Sequence, residues 1–208
     1  SSDVCSSDLL ALTADGSLLV CNNGGLGEGK VPGSIQRVDM RTGEVASLYA
    51  SCDGERLSAP NDLVVGFHGS PSTPDGSFWF TDFGAGVIYR AAVDGSWIEA
   101  VVRGVRSPNG IGLSPAGDVL YWAETYTRRV QRRRVVALPG SGSVRLEPAG
   151  GYDVHFVLRG TDDPWSLLVG LPGAHDLDSL AVDGAGSVCA GTLTDAGVTE
   201  ISADGEHV

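Results

Sequence analysis

Two oxygen-bearing side chains stand at the same distance from a turn glycine in this chain. Asn109 lies eight residues before Gly117, and Asp178 lies eight residues before Gly186. Each glycine closes a turn between two short apolar runs, so both side chains come just before the first strand of a two-strand unit. Amide and carboxylate oxygens are the donors that hard divalent cations prefer in proteins. The spacing therefore predicts a metal site to which both residues contribute.

Asn61 joins this set when an insertion is taken out of its turn. It lies fifteen residues before Gly76, and the segment Phe67 to Thr73 interrupts the turn, so the offset without these seven residues is again eight. Asp8 also lies eight residues before Gly16, but it falls in a leader described below and is treated as a coincidence. Pro-Asn sequences are common in turns, which is the alternative interpretation of each motif alone. The equal offset in three units favours a shared ligand position.

The elements that must position these residues are short strands in a repeating unit. The four turn glycines Gly16, Gly76, Gly117 and Gly186 are separated by 60, 41 and 69 residues. About forty residues is the length of a four-stranded propeller blade, and the longer gaps fit a blade with inserted loops. A β-sandwich of similar strands is the alternative. Recurrence of one unit favours an all-β propeller, whose inner strands would gather the three side chains at one mouth of the central channel.

Flanking polar residues stand at the ends of the second strands. Asp82 and Glu124 are predicted to orient ligands or substrate hydroxyls, because they follow strands that neighbour the inner one. Further polar residues share this location, namely Asn22, Asn23, Thr81, Thr125 and Thr192.

Composition excludes several other classes of function. The 208 residues carry a net charge of −12, which disfavours nucleic-acid binding. The arginines between positions 128 and 134 are interpreted as a solvated strand edge. No stretch is apolar enough to cross a membrane, and no nucleophile elbow or phosphate-binding loop occurs. The four cysteines form no C-x-x-C pair, and a Cys21–Cys189 disulfide is left open.

The first nine residues differ from the rest. Residues 1–9 repeat Ser-Ser-Asp and match nothing downstream, so they are interpreted as a non-native, adapter-like leader. The propeller domain is expected over residues 10–208. No signal peptide is visible, and a cytoplasmic protein is the working expectation.

Six motifs occur in an order that resembles the SMP-30/gluconolactonase/LRE-like family of six-bladed β-propellers. They are Leu19–Gly25, Pro60–Val64, Phe78–Asp82, Ser107–Pro115, Leu120–Thr125 and Asp178–Asp183. The resemblance covers Leu9 to the end of the chain. It implies that about four to five of the six blades are present and that the domain is truncated at both ends.

The resemblance implies a metal-dependent lactonase with a small-molecule lactone substrate, monomeric at full length. Its divalent cation is expected to be Ca²⁺, with Zn²⁺, Mn²⁺ or Mg²⁺ as alternatives. Asn109 and Asp178 match family ligands, Asn61 lies beside the metal and contacts substrate or its water, and Asp178 is the candidate base. The metal would polarise the lactone carbonyl and stabilise the developing oxyanion.

The chain departs from the family pattern at two places. The family's glutamate ligand belongs to a first blade upstream of this sequence, and Ala59 stands where animal members carry an arginine that binds sugar hydroxyls. Two alternatives to a lactonase therefore stay open. One is a non-catalytic metal- or ligand-binding propeller, and the other is a propeller similar to strictosidine synthase.

Overall fold

The chain folds into successive antiparallel sheets joined by glycine-containing turns. The computed structural model describes residues 7–25, 27–66, 76–148, 167–194 and 196–208, and these ranges contain strands, turns and bends but no helix. The predicted insertion at Phe67 to Thr73 lies outside the described residues. Among the described residues, no helix is long and apolar enough to cross a membrane.

Within the described residues, four sheets of three or more strands follow one another along the chain. The first blade contains β1 (Ser7–Leu12), β2 (Ser17–Asn22), β3 (Ser34–Asp39) and β4 (Val45–Tyr49), and a hairpin of β5 (Ser51–Cys52) and β6 (Glu55–Arg56) follows it. The second blade contains β7 (Pro60–Val65), β8 (Ser77–Asp82), β9 (Val87–Ala92) and β10 (Ile98–Arg103). The third contains β11 (Pro108–Leu113), β12 (Val119–Glu124), β13 (Arg129–Ala137), β14 (Val144–Pro148) and β15 (Leu167–Gly170). The fourth contains β16 (Leu177–Val182), β17 (Val188–Thr192) and β18 (Val198–Ile201).

The order of strands within each sheet confirms the propeller prediction. Neighbouring strands are consecutive in sequence, except that β15 pairs with β13 beside β14. The first strands of successive blades contact one another in the order β1, β7, β11, β16. This is a β-propeller arrangement of four blades. The sandwich alternative is wrong, because the described sheets are plain meanders without the crossovers of a Greek key.

The turn glycines that marked the repeat have the backbone conformation that selects glycine. The φ angles of Gly16, Gly76, Gly117 and Gly186 are 82°, 77°, 70° and 93°. A side chain at such angles is strained, and this explains why one residue type recurs at the tip of each first hairpin.

Apolar clusters between the blades form the core. Leu19, Ile35, Phe78, Phe80 and Tyr89 belong to a cluster shared by the first two blades. A second cluster joins the second and third blades, and a third joins the third and fourth. Each blade therefore depends on its neighbour for burial of an apolar face.

The arginine segment is not at a strand edge, contrary to the prediction. Its arginines from Arg129 to Arg134 lie in β13, which is hydrogen-bonded to β12 on one side and to β14 and β15 on the other. Two of these charges have nearby partners: Arg132 Nη1 donates to the Ala203 carbonyl, beyond the sheet, at 2.6 Å, and Arg134 lies 3.9 Å from Glu147 on the neighbouring strand β14.

Two further expectations concern the cysteines and the leader. Cys21, Cys52 and Cys189 are free thiols, so the Cys21–Cys189 disulfide is not formed. Strand β1 begins at Ser7 and pairs with β2, so the last residues of the leader take part in a sheet. The non-native origin of residues 1–9 stays a prediction.

Candidate functional site

A β-bulge at the start of each inner strand defines the position of the candidate residues. In β7, Pro60 pairs with Asp82 and Leu63 pairs with Phe80, so three steps along β7 oppose two steps along β8. The same shift occurs between Pro108 and Ile111 in β11 and between Leu177 and Leu180 in β16. Such bulges redirect side chains at the rims of barrels and next to active sites.

The three predicted ligands occupy the first bulge position of their strands, as the equal offset predicted. They are Asn61 in β7, Asn109 in β11 and Asp178 in β16. A register shift between Ser7 and Leu10 also occurs in β1. Asp8, whose offset was treated as a coincidence, therefore lies at the corresponding strand position.

Asn109 and Asp178 meet in space although 69 residues separate them. The Asn109 amide nitrogen donates to Asp178 Oδ1 at 3.1 Å and lies at the same distance, 3.1 Å, from the Thr125 hydroxyl. Asn109 is only 5% exposed, whereas Asp178 is partly exposed. The pair therefore places one buried amide and one accessible carboxylate at the junction of two blades.

A glycine allows the two strands to come this close. A Cβ on Gly110 would lie 2.3 Å from the Leu180 backbone nitrogen and 2.5 Å from the Leu180 Cβ. Real Cβ atoms do not approach backbone atoms so closely, so any side chain at this position would push β16 away from β11. Gly110 directly follows Asn109, and this explains why the close approach occurs at the ligand pair.

Asn61 lies at the corresponding bulge of the adjacent inner strand and is 8% exposed. Two amides and one carboxylate are a hard-donor set with a single negative charge, which suits a hard cation completed by further oxygen donors. Within the part of the chain that the structure describes, no group of three or more His, Cys, Asp and Glu side chains could hold a metal. A site built from these residues would thus rely on amide oxygens.

Asp82 is fully buried, and its carboxylate contacts backbone groups of its own blade. The two oxygens accept from the amides of Ser58, Ala59 and Ala85 at 2.7, 2.8 and 2.9 Å. These bonds fix the chain that leads into β7 and the turn that follows β8. The contact of Asp82 with substrate stays a prediction. In the structure, the Asp82 carboxylate fixes the backbone segment that leads to Asn61.

Glu124 is also fully buried, at the end of β12. Its Oε2 accepts from the Thr127 hydroxyl at 2.7 Å, which ties the carboxylate to the turn after the strand. The predicted role in substrate binding stays a prediction.

Of the other flanking residues, Asn22 and Asn23 accept from the amides of Gly24 and Gly25 at 2.9 Å each, so both side chains contribute to a glycine-rich turn.

Asp62 is the residue of this region that the sequence analysis missed. It is 3% exposed and accepts from the Leu63 amide at 2.6 Å and from the Ile111 amide at 2.8 Å. The Leu180 amide is a third backbone group that favours the charged form of this carboxylate. Burial raises the pKa of Asp62 to about 7, against the opposite effect of these three donors, and the nearby Asp178 charge adds to the rise. The only sequence signal was its place directly after Asn61, inside the bulge.

The chain matches the family model of the SMP-30/gluconolactonase/LRE-like region over residues 6–208. It is 28% identical over 168 residues to the adipocyte plasma membrane-associated protein of Gallus gallus, covering 64% of this chain and 39% of that protein. It is 26% identical over 161 residues to the lactonase drp35 of Staphylococcus epidermidis, covering 74% of this chain and 44% of that protein. The chain thus spans less than half the length of these relatives.

Solved structures share the fold at lower identity. A gluconolactonase of Xanthomonas campestris superposes with a TM-score of 0.67 at 23% identity, over 97% of this chain and 60% of that chain. Regucalcin of Agrobacterium tumefaciens, described as a calcium-binding protein, superposes with a TM-score of 0.59 at 18% identity, over 99% of this chain and 59% of that chain.

Proposed function

Because this chain belongs to the SMP-30/gluconolactonase/LRE-like family, we propose that the protein containing it hydrolyses a lactone to the hydroxy acid with the help of a divalent cation. The observation that carries the proposal is the Asn109–Asp178 pair, whose polar atoms approach to 3.1 Å from equivalent bulges of adjacent inner strands. The lactonase name of one relative and the calcium-binding description of another protein of this fold support the same proposal.

The donor chemistry favours Ca²⁺ or another hard cation. Asn109 and Asp178 would hold it, with Asn61 beside them on the next strand. The two ends of an amide have nearly the same shape, so Asn109 would turn its Oδ1 toward the cation in place of its nitrogen. When bound, a cation of this kind polarises a lactone carbonyl and lowers the pKa of bound water.

The protein's own groups would do the remaining work. The Asp178 carboxylate is the charged, partly exposed group of the pair, so it would accept a proton from the attacking water as well as bind the cation. The Thr125 hydroxyl, buried and next to Asn109, would fix the plane of the Asn109 amide. Asn61, at the neighbouring bulge, would contact the lactone ring or its water.

The test is lactone hydrolysis by the full-length protein and its Asp178→Asn variant. We expect the variant to lose kcat/KM by about a hundredfold or more, the scale of losing one group that stabilises a transition state. EDTA should abolish wild-type activity, and Ca²⁺, Mn²⁺ or Zn²⁺ should restore it. Full activity in EDTA, or in Asp178→Asn, would contradict the proposal.

A matched control is available on the same hairpin. Asp183 is exposed, five residues from Asp178, and its Oδ1 accepts from the amides of Ala185 and Ser187 at 2.9 and 2.8 Å in a turn. Asp183→Asn makes the same chemical change away from the pair and should retain activity. A protein that binds the cation but hydrolyses none of a panel of sugar and aromatic lactones would favour the non-catalytic alternative.

A further inference from the structure

Asp62 collects equivalent backbone groups from three blades. Leu63, Ile111 and Leu180 are the residues at which pairing resumes after the bulges of β7, β11 and β16. Each stands two residues after its blade's candidate ligand. The amides of Leu63 and Ile111 donate to the Asp62 carboxylate at 2.6 and 2.8 Å, and the Leu180 amide also stabilises its charged form. The Asp62 side chain therefore lies where the three strands that carry Asn61, Asn109 and Asp178 come together, and it is hydrogen-bonded across β7 and β11.

We propose that Asp62 is a positioning residue that sets the separation of the three inner strands and hence of the oxygen donors at the channel mouth. This inference rests on the proposed function, since it concerns the same site. Asp62 lies inside the bulge, between Asn61 and Leu63, so its carboxylate acts on the donors through the backbone.

The residue type fits this task. A carboxylate is an acceptor with two oxygens and about four lone-pair sites, so it can receive three N–H groups at once. Asn has the same shape but presents an NH₂ group to at least one donor, which leaves a buried N–H unpaired and introduces a repulsive contact.

A second set of bonds connects the same strands. The Thr81 hydroxyl accepts from the Asp62 amide at 3.1 Å and donates to the Asn109 carbonyl at 2.7 Å. Thr81 is fully buried, so both the side chain and the backbone of Asp62 lead to the bulge of β11. Gly110 completes the junction by allowing Leu180 to approach. Hydrogen bonds of defined length thus control the distances that a cation site needs.

The test compares Asp62→Asn with the wild-type full-length protein by two measurements. The first is hydrogen exchange at the amides of Leu63, Ile111 and Leu180, which should all exchange faster in the variant. The second is affinity for Tb³⁺, a luminescent substitute for Ca²⁺, which should fall by about tenfold to a hundredfold, as when a residue that orients a metal ligand is removed.

Tyr49→Phe provides a control, because it also removes hydrogen bonding between blades but does so away from the candidate site. The Tyr49 hydroxyl lies 2.7 Å from the Ala92 carbonyl and 2.8 Å from the Trp97 carbonyl, linking the first two blades away from the bulges. Its removal should lower the melting temperature and leave Tb³⁺ affinity unchanged. If Asp62→Asn does not fold, Thr81→Val tests the same junction and should also weaken Tb³⁺ binding.

The outcomes separate this inference from the proposed function. Faster exchange at the three amides with wild-type Tb³⁺ affinity would overturn it, because Asp62 would then serve folding alone. Exchange unaffected at Ile111 and Leu180 would overturn it as well. A wild-type protein that binds Tb³⁺ but opens no lactone refutes the proposed hydrolysis, while the exchange and affinity measurements still decide the role of Asp62.

Discussion

The contact between the first two blades and the junction of the inner strands at the channel mouth are built in different ways. At the first contact, Phe80 of the second blade lies 4.9 Å from Tyr89 and 5.8 Å from Phe78 between ring centroids, and Tyr49 of the first blade lies 6.3 Å from Phe78. At the junction, the groups in contact are the polar side chains of Asp62 and Asn109 and backbone amides.

The difference separates stability from positioning. Apolar burial is proportional to area and has little directional preference, so it stabilises the blades without fixing distances between particular atoms. Buried hydrogen bonds have narrow geometry and contribute modestly to net stability, but breaking one partner is costly. Substitutions in the aromatic contact should therefore lower the free energy of unfolding and leave cation affinity unchanged. Substitutions at the junction should lower cation affinity even where the free energy of unfolding changes little.

The largest effect on stability is expected at Phe80, which is fully buried. Phe80→Ala removes a ring that packs on two others, and such truncations cost about 3 to 5 kcal/mol of unfolding free energy. Urea denaturation at neutral pH measures this loss. Tb³⁺ affinity of the folded fraction should stay at the wild-type value, and a parallel loss of affinity would show that the two regions are not independent.

An intermediate effect is expected at Gly110. Gly110→Ala places a methyl group against the backbone of Leu180, which cannot move alone, and overpacking of this kind costs about 1 to 3 kcal/mol. Because the shift separates Asn109 from Asp178, Tb³⁺ affinity should fall together with stability. Titration of Tb³⁺ luminescence and urea denaturation measure the two losses.

Gly112 is the matched control on the same strand. A Cβ there would meet the ends of the Leu180 and Val182 side chains, at 2.7 and 3.0 Å, and these ends can rotate aside. Gly112→Ala should therefore lower stability less than Gly110→Ala and leave Tb³⁺ affinity unchanged. Equal losses of affinity in both variants would contradict the positioning role assigned to the Gly110 approach.

Much of the fold could be predicted because its signals are local. The turn glycines follow from backbone conformation, and the strand pattern repeats, so four units and the shared position of Asn61, Asn109 and Asp178 were accessible from sequence. The meeting of Asn109 and Asp178 follows from that shared position, because equivalent residues of adjacent inner strands lie next to each other.

The features that were missed depend on contacts between distant segments. Asp62 accepts from the Ile111 amide, which is 49 residues away, and no local pattern shows which distant backbone groups will face it. The carboxylate of Asp82 looks available in the sequence but accepts from three amides in the fold. The arginines of β13 look like those of an edge strand in the sequence. In the fold, β14 and β15 both pair with the outer side of β13, and the sequence does not show that these two separate segments lie there.

The smallest effect on stability is expected at Tyr49, and it should depend on pH. Burial raises the pKa of Tyr49 to about 12 from 10.0, so the folded state holds the phenolic proton more tightly than the unfolded state does. The resulting stability is fully present below pH 10 and is lost as the pH rises toward 12. Tyr49→Phe should cost about 1 kcal/mol near neutral pH and should weaken the alkaline loss of stability.

Tyr89, whose pKa burial also raises to about 12, should leave part of that loss in place. Urea denaturation at several pH values from neutral to alkaline measures both slopes. Identical slopes in the variant and the wild type would show that the Tyr49 hydroxyl, between the first two blades, is not the group that titrates.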